Sequence, residues 1–387
     1  MEEEEDFLEE VRDFLESDLT EDLRAAGRNT VGTHSDIAAC RIWHRRLHER
    51  GWIAPSWPVE RGGTGWSARR RFLFEQECAK NDAPILFAGG IRSLGPLLIA
   101  MGTENQQARY LKPILTGEDL WCQGFSEPGA GSDLAALRTC AMSDGEEYVV
   151  NGAKIWTTGA HLSNRMFALV RTASAARPQE GITFLLIDMD SPGIKVEPIL
   201  CFDDEHEFNQ VFLDEVRVPK ANRVGAEGEG WAVAKHLMRF ARSNNTTSGL
   251  LRRAFRNVER LVAMEDATRA GLADRLAAVE IELRGFESFE LRLLTAGRLT
   301  GDDETASSLM KCMASELHQT ITELGIEAAG PYGAVAGSLN GNGTPLSAAA
   351  AHATRKYFST RAASIYSGTN ETHRNIIGRS LIELPRP

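Results

Sequence analysis

At 387 residues the chain is too long for a single small core, so two or three packed units are the expectation. Its composition, 42% hydrophobic and 25% charged, is that of an ordinary globular chain with apolar surface for a substantial core. Lys+Arg 43 against Asp+Glu 54 gives a formal net charge of −11, which argues against nucleic acid as a partner. Six cysteines are scattered without a C-x-x-C pair, and no apolar run approaches the ~20 residues of a membrane span. The chain opens Met1-Glu2-Glu3-Glu4-Glu5-Asp6, unlike a signal peptide, and the expectation is a reduced, cytoplasmic setting without membrane insertion.

The first 119 residues read as helical. Phe7, Leu8, Val11, Phe14, Leu15 and Leu19 recur at three- and four-residue spacing in an acidic sequence, which predicts one buried stripe. A second amphipathic run, 37–50, ends at Gly51. Its His44 and His48 lack the H-E-x-x-H context of a metal site and read as residues of a surface helix. Residues 72–79 resume helical spacing after a loop of Gly, Pro and Trp. The apolar run 85–101 is interrupted by Gly89, Gly90, Gly95 and Pro96, which predicts a broken or kinked helix. Arg92 stands inside it, suited either to a structural carboxylate or to an acidic ligand.

Near Leu120 the period changes. Short runs at 121–125, 139–142, 148–154, 166–171, 183–188, 194–198 and 208–213 are separated by turn signals such as Asn151-Gly152. They predict an all-β barrel or sandwich of about 100 residues. Residues 225–230 are expected to return the chain to helix. Apolar stripes then follow: Ala234, Leu237, Met238 and Ala241; Leu251, Phe255, Val258 and Val262; Leu272, Val279, Leu283 and Phe286; Ala306, Met310, Leu317 and Leu324. A Gly/Asn-rich loop spans 330–344, a helix is expected from about 346 to 364, and a closing helix from 371 to 384. Such stripes make a helical bundle. The order α, β, α differs from the alternation of a parallel nucleotide-binding sheet, so the class is a multidomain α+β fold, divided as 1–119, 120–224 and 225–387.

Three stretches carry candidate chemistry. Phe125-Ser126-Glu127-Pro128-Gly129-Ala130-Gly131-Ser132-Asp133 lets the backbone come close to a flat or phosphorylated ligand, or is simply a tight loop. In Asn151-Gly152-Ala153-Lys154-Ile155-Trp156-Thr157-Thr158, the indole is placed to stack on a ring and the two threonines to bond its polar edge, unless the Trp is core. Near the C-terminus, Ser367-Gly368-Thr369-Asn370 reads as a turn ahead of an apolar helix. No metal-ligand spacing, P-loop or G-x-S-x-G elbow is present.

With Val218-Pro219 and the stretches 225–231 and 365–379, these motifs resemble the acyl-CoA dehydrogenases in order and spacing over almost the whole chain. The chain looks closest to the bacterial branch that includes large subunits of pimeloyl-CoA and steroid side-chain dehydrogenases. The resemblance implies a helical N-terminal domain, a β-barrel-like middle domain and a C-terminal four-helix bundle, with FAD between the last two. It implies that Phe125, Ser126, Gly131 and Ser132 approach the isoalloxazine and its neighbouring chain, with Trp156, Thr157 and Thr158 across it. Thr369, Asn370 and Glu371 would meet the cofactor's polar parts. Ser132 and Arg242 match positions near the acyl-CoA thioester and pantetheine, and Arg92 is a further substrate candidate.

The family reaction couples removal of an α-proton by a glutamate to transfer of the β-hydride to flavin. The glutamate stands at one of two places, which in this chain are Ser367 and Ala241, and neither carries a carboxylate. Serine without an activating partner is no base at neutral pH, and alanine has no proton acceptor. The Arg-x-x-Phe-Gly string that many members use across their dimer is also absent. That absence implies an α2β2 hetero-oligomer with a second acyl-CoA dehydrogenase-like subunit, a homo-oligomer being the alternative. Three functions follow. One is an acyl-CoA dehydrogenase that passes electrons to an electron-transferring flavoprotein and whose base was lost naturally or by substitution. Another is a flavoprotein that eliminates a leaving group such as sulfinate. The third is a non-catalytic subunit that binds FAD and acyl-CoA.

Overall fold

The computed structural model describes residues 2–241, 247–264, 271–298, 304–334 and 345–381. Helices open the chain: α1 (Glu2–Asp18), α2 (Glu21–Arg28), α3 (Ile37–Glu49), α4 (Ala68–Lys80), α5 (Gly95–Met101) and α6 (Glu104–Thr116). The α1 stripe of Phe7, Val11, Phe14 and Leu15 is buried, as its spacing requires. At the start of α3 the Asp36 carboxylate accepts the main-chain N–H of Ala38 and Ala39, at 2.9 and 3.2 Å. His44 corrects the surface reading of this helix. It shares the buried face with Cys40, Trp43 and Leu47, and its Nε2 lies 2.9 Å from the Leu115 carbonyl oxygen at the end of α6. Burial pushes its pKa down.

The interrupted run 85–101 is a π-helical turn, Gly89–Leu94, leading directly into α5. Gly95 marks the junction because a Cβ there would fall 1.9 Å from the Trp57 ring.

Eight strands follow: β1 (Trp121–Gly124), β2 (Cys140–Asp144), β3 (Glu147–Lys154), β4 (Arg165–Arg171), β5 (Ile182–Asp188), β6 (Ile194–Ile199), β7 (Phe208–Pro219) and β8 (Arg223–Val224). They form one sheet in the order β6-β7-β3-β2-β4-β5-β8, with β1 parallel to β4. The two-residue β8 has no sequence pattern of its own and is held by β5. Period two is plain in β4: Phe167 and Leu169 face one core while Met166, Ala168 and Val170 face another.

The expected helix at 225–230 begins later, at Gly230. Residues 225–229 form a turn in which Gly225 and Gly228 have positive φ and the Thr183 hydroxyl binds the Gly228 N–H at 2.9 Å. The remaining helices are α7 (Gly230–Ala241), α8 (Ser248–Ala263), α9 (Leu272–Thr295), α10 (Glu304–Ala329), α11 (Pro345–Thr360) and α12 (Asn370–Leu381). Phe255, Val258, Leu283, Phe286, Ile321 and Leu324 pack the core shared by α8, α9, α10 and α11. Within the 330–344 loop, Gly330–Ala334 is a short 3-10 turn. The rest of that loop and residues 382–384 of the expected closing helix lie outside the described residues.

Hydrophobic cores do not follow the α, β, α order. One continuous cluster joins α1, α3 and α6 to Phe125, Phe167 and Phe184 of the sheet region and to Val233 and Leu237 of α7. No described helix is long and apolar enough to cross a membrane.

Candidate functional site

Two of the three candidate stretches meet at the end of β1. The chain turns tightly there, with Glu127 and Ala130 exchanging main-chain hydrogen bonds of 2.9 and 3.0 Å. The Glu127 carboxylate accepts the main-chain N–H of Arg138 and Thr139, at 2.6 and 2.9 Å, and the Lys154 ammonium at 2.7 Å. Lys154 also donates to the Leu169 carbonyl at 2.7 Å and the Phe125 carbonyl at 3.3 Å, and it is wholly buried. Burial pulls the Lys154 pKa down to about 8. Burial pushes Glu127 the other way, but the Lys154 charge and the donated hydrogen bonds leave it below the usual carboxylate value. The Ile155 N–H binds the Ser126 carbonyl at 2.9 Å and locks the second stretch onto the first.

This scaffold turns side chains in opposite directions. Phe125 is buried, its ring 5.9 Å from that of Phe167 and 6.2 Å from that of Phe184. Pro128, Gly129, Gly131, Ser132 and Asp133 are exposed, and a Cβ on either glycine would meet open space. Trp156 is 56% exposed and sits at φ 57, a backbone conformation costly for an aromatic residue. Its ring meets Phe208 edge-on, with centroids 6.2 Å apart. Next to it, Thr157 is buried, with no hydrogen-bond partner for its Oγ1 among the described residues. The exposed indole and the partnerless hydroxyl thus stand side by side on one short segment.

The C-terminal stretch is a helix cap and something more. Ser367 has φ 55 and is exposed, and Gly368 follows at φ 88. Thr369 caps α12, its Oγ1 accepting the Thr372 N–H at 3.2 Å. Asn370 is buried and both ends of its amide are engaged. Its Oδ1 accepts Lys311 at 2.6 Å and Ser315 at 3.1 Å, and its Nδ2 donates to Glu316 at 3.0 Å. Glu371 is exposed. His373 donates from Nε2 to the Ser367 carbonyl at 3.0 Å, fixing the turn without touching the Ser367 hydroxyl. Arg92 faces Glu75 at 3.9 Å, both side chains partly exposed. Ala241 is the last residue of α7, and Arg242 lies outside the described residues.

A cavity draws the second and third stretches together, since Phe208, against Trp156, and Tyr366, beside Ser367, both line it. Sequence reading passed over Lys154, Glu127 and Asn209 as site-building residues. Two had a signal: Lys154 shares strand parity with the buried Tyr148 and Val150, and Asn209 with Val211 and Leu213. A polar residue at core parity must find partners.

Helices, a sheet and a terminal helical bundle around such a site define the fold of the acyl-CoA dehydrogenases, and the chain belongs to that family. Family models for the acyl-CoA dehydrogenase N-terminal, middle and C-terminal domains match residues 1–118, 122–216 and 228–382. The acyl-CoA dehydrogenase IpdE1 of Mycobacterium tuberculosis is 35% identical, with the match covering 100% of this chain and 99% of that one. IpdE1 of Mycolicibacterium smegmatis is also 35% identical, over 98% of each chain. Among solved structures, the ChsE4-ChsE5 complex from Mycobacterium tuberculosis contains a chain 26% identical, with a TM-score of 0.81 and coverage of 100% and 99%. The Tcur3481-Tcur3483 steroid ACAD, 24% identical with a TM-score of 0.84 and coverage of 100% and 97%, shares the fold.

Proposed function

We propose that this chain carries the site of an FAD-dependent acyl-CoA dehydrogenase, the enzyme that introduces an α,β double bond into an acyl-CoA thioester, with its catalytic glutamate lost by natural change or by substitution. The proton acceptor is absent from both places where the family carries its glutamate, Ala241 and Ser367. The observation that carries the reading is the exposed Trp156 at positive φ beside the partnerless Thr157 hydroxyl. A bound flavin would supply the acceptor for the substrate's β-hydride.

Toward that ring Trp156 offers its face, and Thr157 and Thr158 offer hydroxyls to the polar edge. Ser126 and Phe125 contribute main chain, and the exposed Gly131 and Ser132 present N–H groups to the rest of the cofactor. Thr369 and Asn370 act by holding the turn, and Glu371 is free to face the cofactor from the exposed start of α12. Ser132 and Arg242 are the residues for the thioester and pantetheine. Ser367 does not replace the glutamate, because the imidazole that reaches it, His373, spends its Nε2 on the Ser367 carbonyl. Electrons leave to an electron-transferring flavoprotein in the cytoplasm.

Introducing the carboxylate tests this directly. Ala241→Glu, loaded with FAD, is expected to lose its visible flavin absorbance when mixed with an acyl-CoA, whereas the unaltered chain keeps it. Absence of any bleaching across short, long and ring-bearing acyl-CoAs counts against the reading.

The second reading is a subunit that binds flavin and acyl-CoA within an α2β2 heteromer without turning over. Two observations favour it: neither family base position carries a carboxylate, and one similar solved chain is part of a two-protein complex. A flavin-saturated homo-oligomer, active after Ala241→Glu with no second protein, would remove it. For elimination chemistry the candidate anion contact is Arg92, whose guanidinium faces Glu75 at 3.9 Å.

A further inference from the structure

The C-terminal bundle meets residues 30–33, Ile85 and Glu207–Phe208 across a cavity. This cavity, of about 90 Å³, lies between α8, α10 and α11, room for several heavy atoms. Leu250, Val258, Leu261 and Ala353 give it apolar walls. Four side chains that bundle cores ordinarily exclude line the same space: Arg253, His318, His352 and Lys356.

Their hydrogen bonding is incomplete in a particular way. Arg253 is 7% exposed and donates from Nη2 to the Ala83 carbonyl at 2.7 Å, but its Nε–H has no partner among the described residues. The Nε2 atoms of His318 and His352 are likewise buried without partners. Burial, then the nearby Lys356 charge, pushes these imidazoles down to about 3 and about 4, so each is a neutral ring with one N–H. The two cations are already answered. Lys356 donates to the Val31 carbonyl at 2.7 Å and feels the Glu207 charge, and Arg253 feels that of Asp82. Open in the cavity are the Arg253 Nε–H, which needs an acceptor, and one Nε2 on each neutral imidazole, which binds a donor or an acceptor according to its tautomer; the Glu207 carboxylate lines the same wall.

Its place in the fold says what could fill it. Tyr366 and Phe208 line it, and these adjoin Ser367 and Trp156 respectively. Ile85 forms another part of the wall, two residues before Phe87, whose ring closes on Gly159 beside Thr158. The cavity therefore backs onto the segments that frame the proposed reaction centre.

We propose that it receives the far end of the acyl chain and selects chains that carry an acceptor oxygen there over plain alkyl chains. This rests on the acyl-CoA reading above. The apolar walls cover the carbon skeleton, and Arg253 Nε and the two imidazoles meet the oxygen of a ketone, hydroxyl or carboxylate.

The test uses the flavin-loaded protein, with any subunit that co-purifies, titrated calorimetrically with four acyl-CoAs of equal length. One is unsubstituted, and the others carry a distal ketone, hydroxyl or carboxylate. At least one oxygenated ligand is expected to bind tenfold or more tighter than the alkyl chain, and the arm that gains identifies the oxygen. His318→Leu and His352→Leu, made separately and checked by melting temperature, are expected to reduce that gain, read as the ratio of oxygenated to alkyl affinity in the same variant, to within twofold. Equal binding of all four ligands means that the cavity holds only water, and this inference falls while the acyl-CoA reading stands. A preference that survives both substitutions also overturns it. If no acyl-CoA binds at all, both readings fall together.

Discussion

Asn209 and Thr157 exchange main-chain hydrogen bonds of 3.0 and 3.1 Å, and the Asn209 side-chain amide adds a third to the Thr157 carbonyl at 3.0 Å. The Asn209 Oδ1 accepts from His206 at 2.8 Å, so the residue is buried with its polar atoms engaged. A strand residue thereby clamps the segment that carries Trp156 in its left-handed conformation. Asn209→Ala is expected to lower stability by about 1–2 kcal/mol and to weaken FAD retention tenfold or more. Denaturant melts and flavin titration of the apoprotein check the two effects; unchanged retention would show that the clamp serves the fold alone.

Trp156 offers the converse experiment. Being exposed and at positive φ, it contributes little packing and holds a conformation that glycine adopts freely. Trp156→Gly is expected to preserve or raise stability, by up to about 1 kcal/mol, while flavin affinity falls by an order of magnitude. A thermal melt of the flavin-free protein beside a flavin titration separates the two.

The buried Lys154–Glu127 pair predicts a steep asymmetry. Lys154→Met leaves the Glu127 carboxylate sealed away with no cation, at an expected cost of about 3–5 kcal/mol. Adding Glu127→Gln to Lys154→Met should recover part of that cost, because the remaining main-chain donors then face a neutral acceptor. Urea unfolding of the single and double variants measures it, and equal losses in both would refute the pairing argument.

Glu290 gives a pH signature. It is buried on α9, accepts the Ser248 N–H at 2.9 Å and the Ser248 hydroxyl, and burial raises its pKa to about 7 despite those bonds. The folded chain thus holds this proton more tightly than the unfolded chain, where the value is near 4.5. The stabilising contribution is complete below pH 4.5 and is lost as pH rises to about 7, a swing on the order of 3 kcal/mol. In Glu290→Gln that component should vanish, so the difference in melting temperature between variant and parent should grow between pH 5 and pH 7.5. A pH-independent difference would contradict the assignment.

The order of helix, strand and helix was legible because burial imposes different periods: β4 alternates core faces residue by residue, and α10 repeats Met310, Leu317, Ile321 and Leu324. Local pattern failed where partners are distant in sequence. β8 exists through β5, and His44 is buried because the end of α6 offers its carbonyl. The motif residues of the site were visible as types, but their division of labour was not. Phe125 and Asn370 carry cofactor-like motif positions, yet their side chains are spent on a phenylalanine cluster and on α10. The bundle cavity did leave a trace. Lys356, three residues after Ala353, falls in register with the core-facing side of α11.

The hydrophobic cluster running from α1 through Phe184 into α7 has a consequence for modular behaviour. Cutting the chain near Leu120 would divide one core between two fragments instead of releasing a self-sufficient helical unit. The N-terminal helices and the sheet should then exchange amide hydrogens with a common protection limit. Recombination between relatives would be tolerated at that point only when both sides of the seam were inherited together.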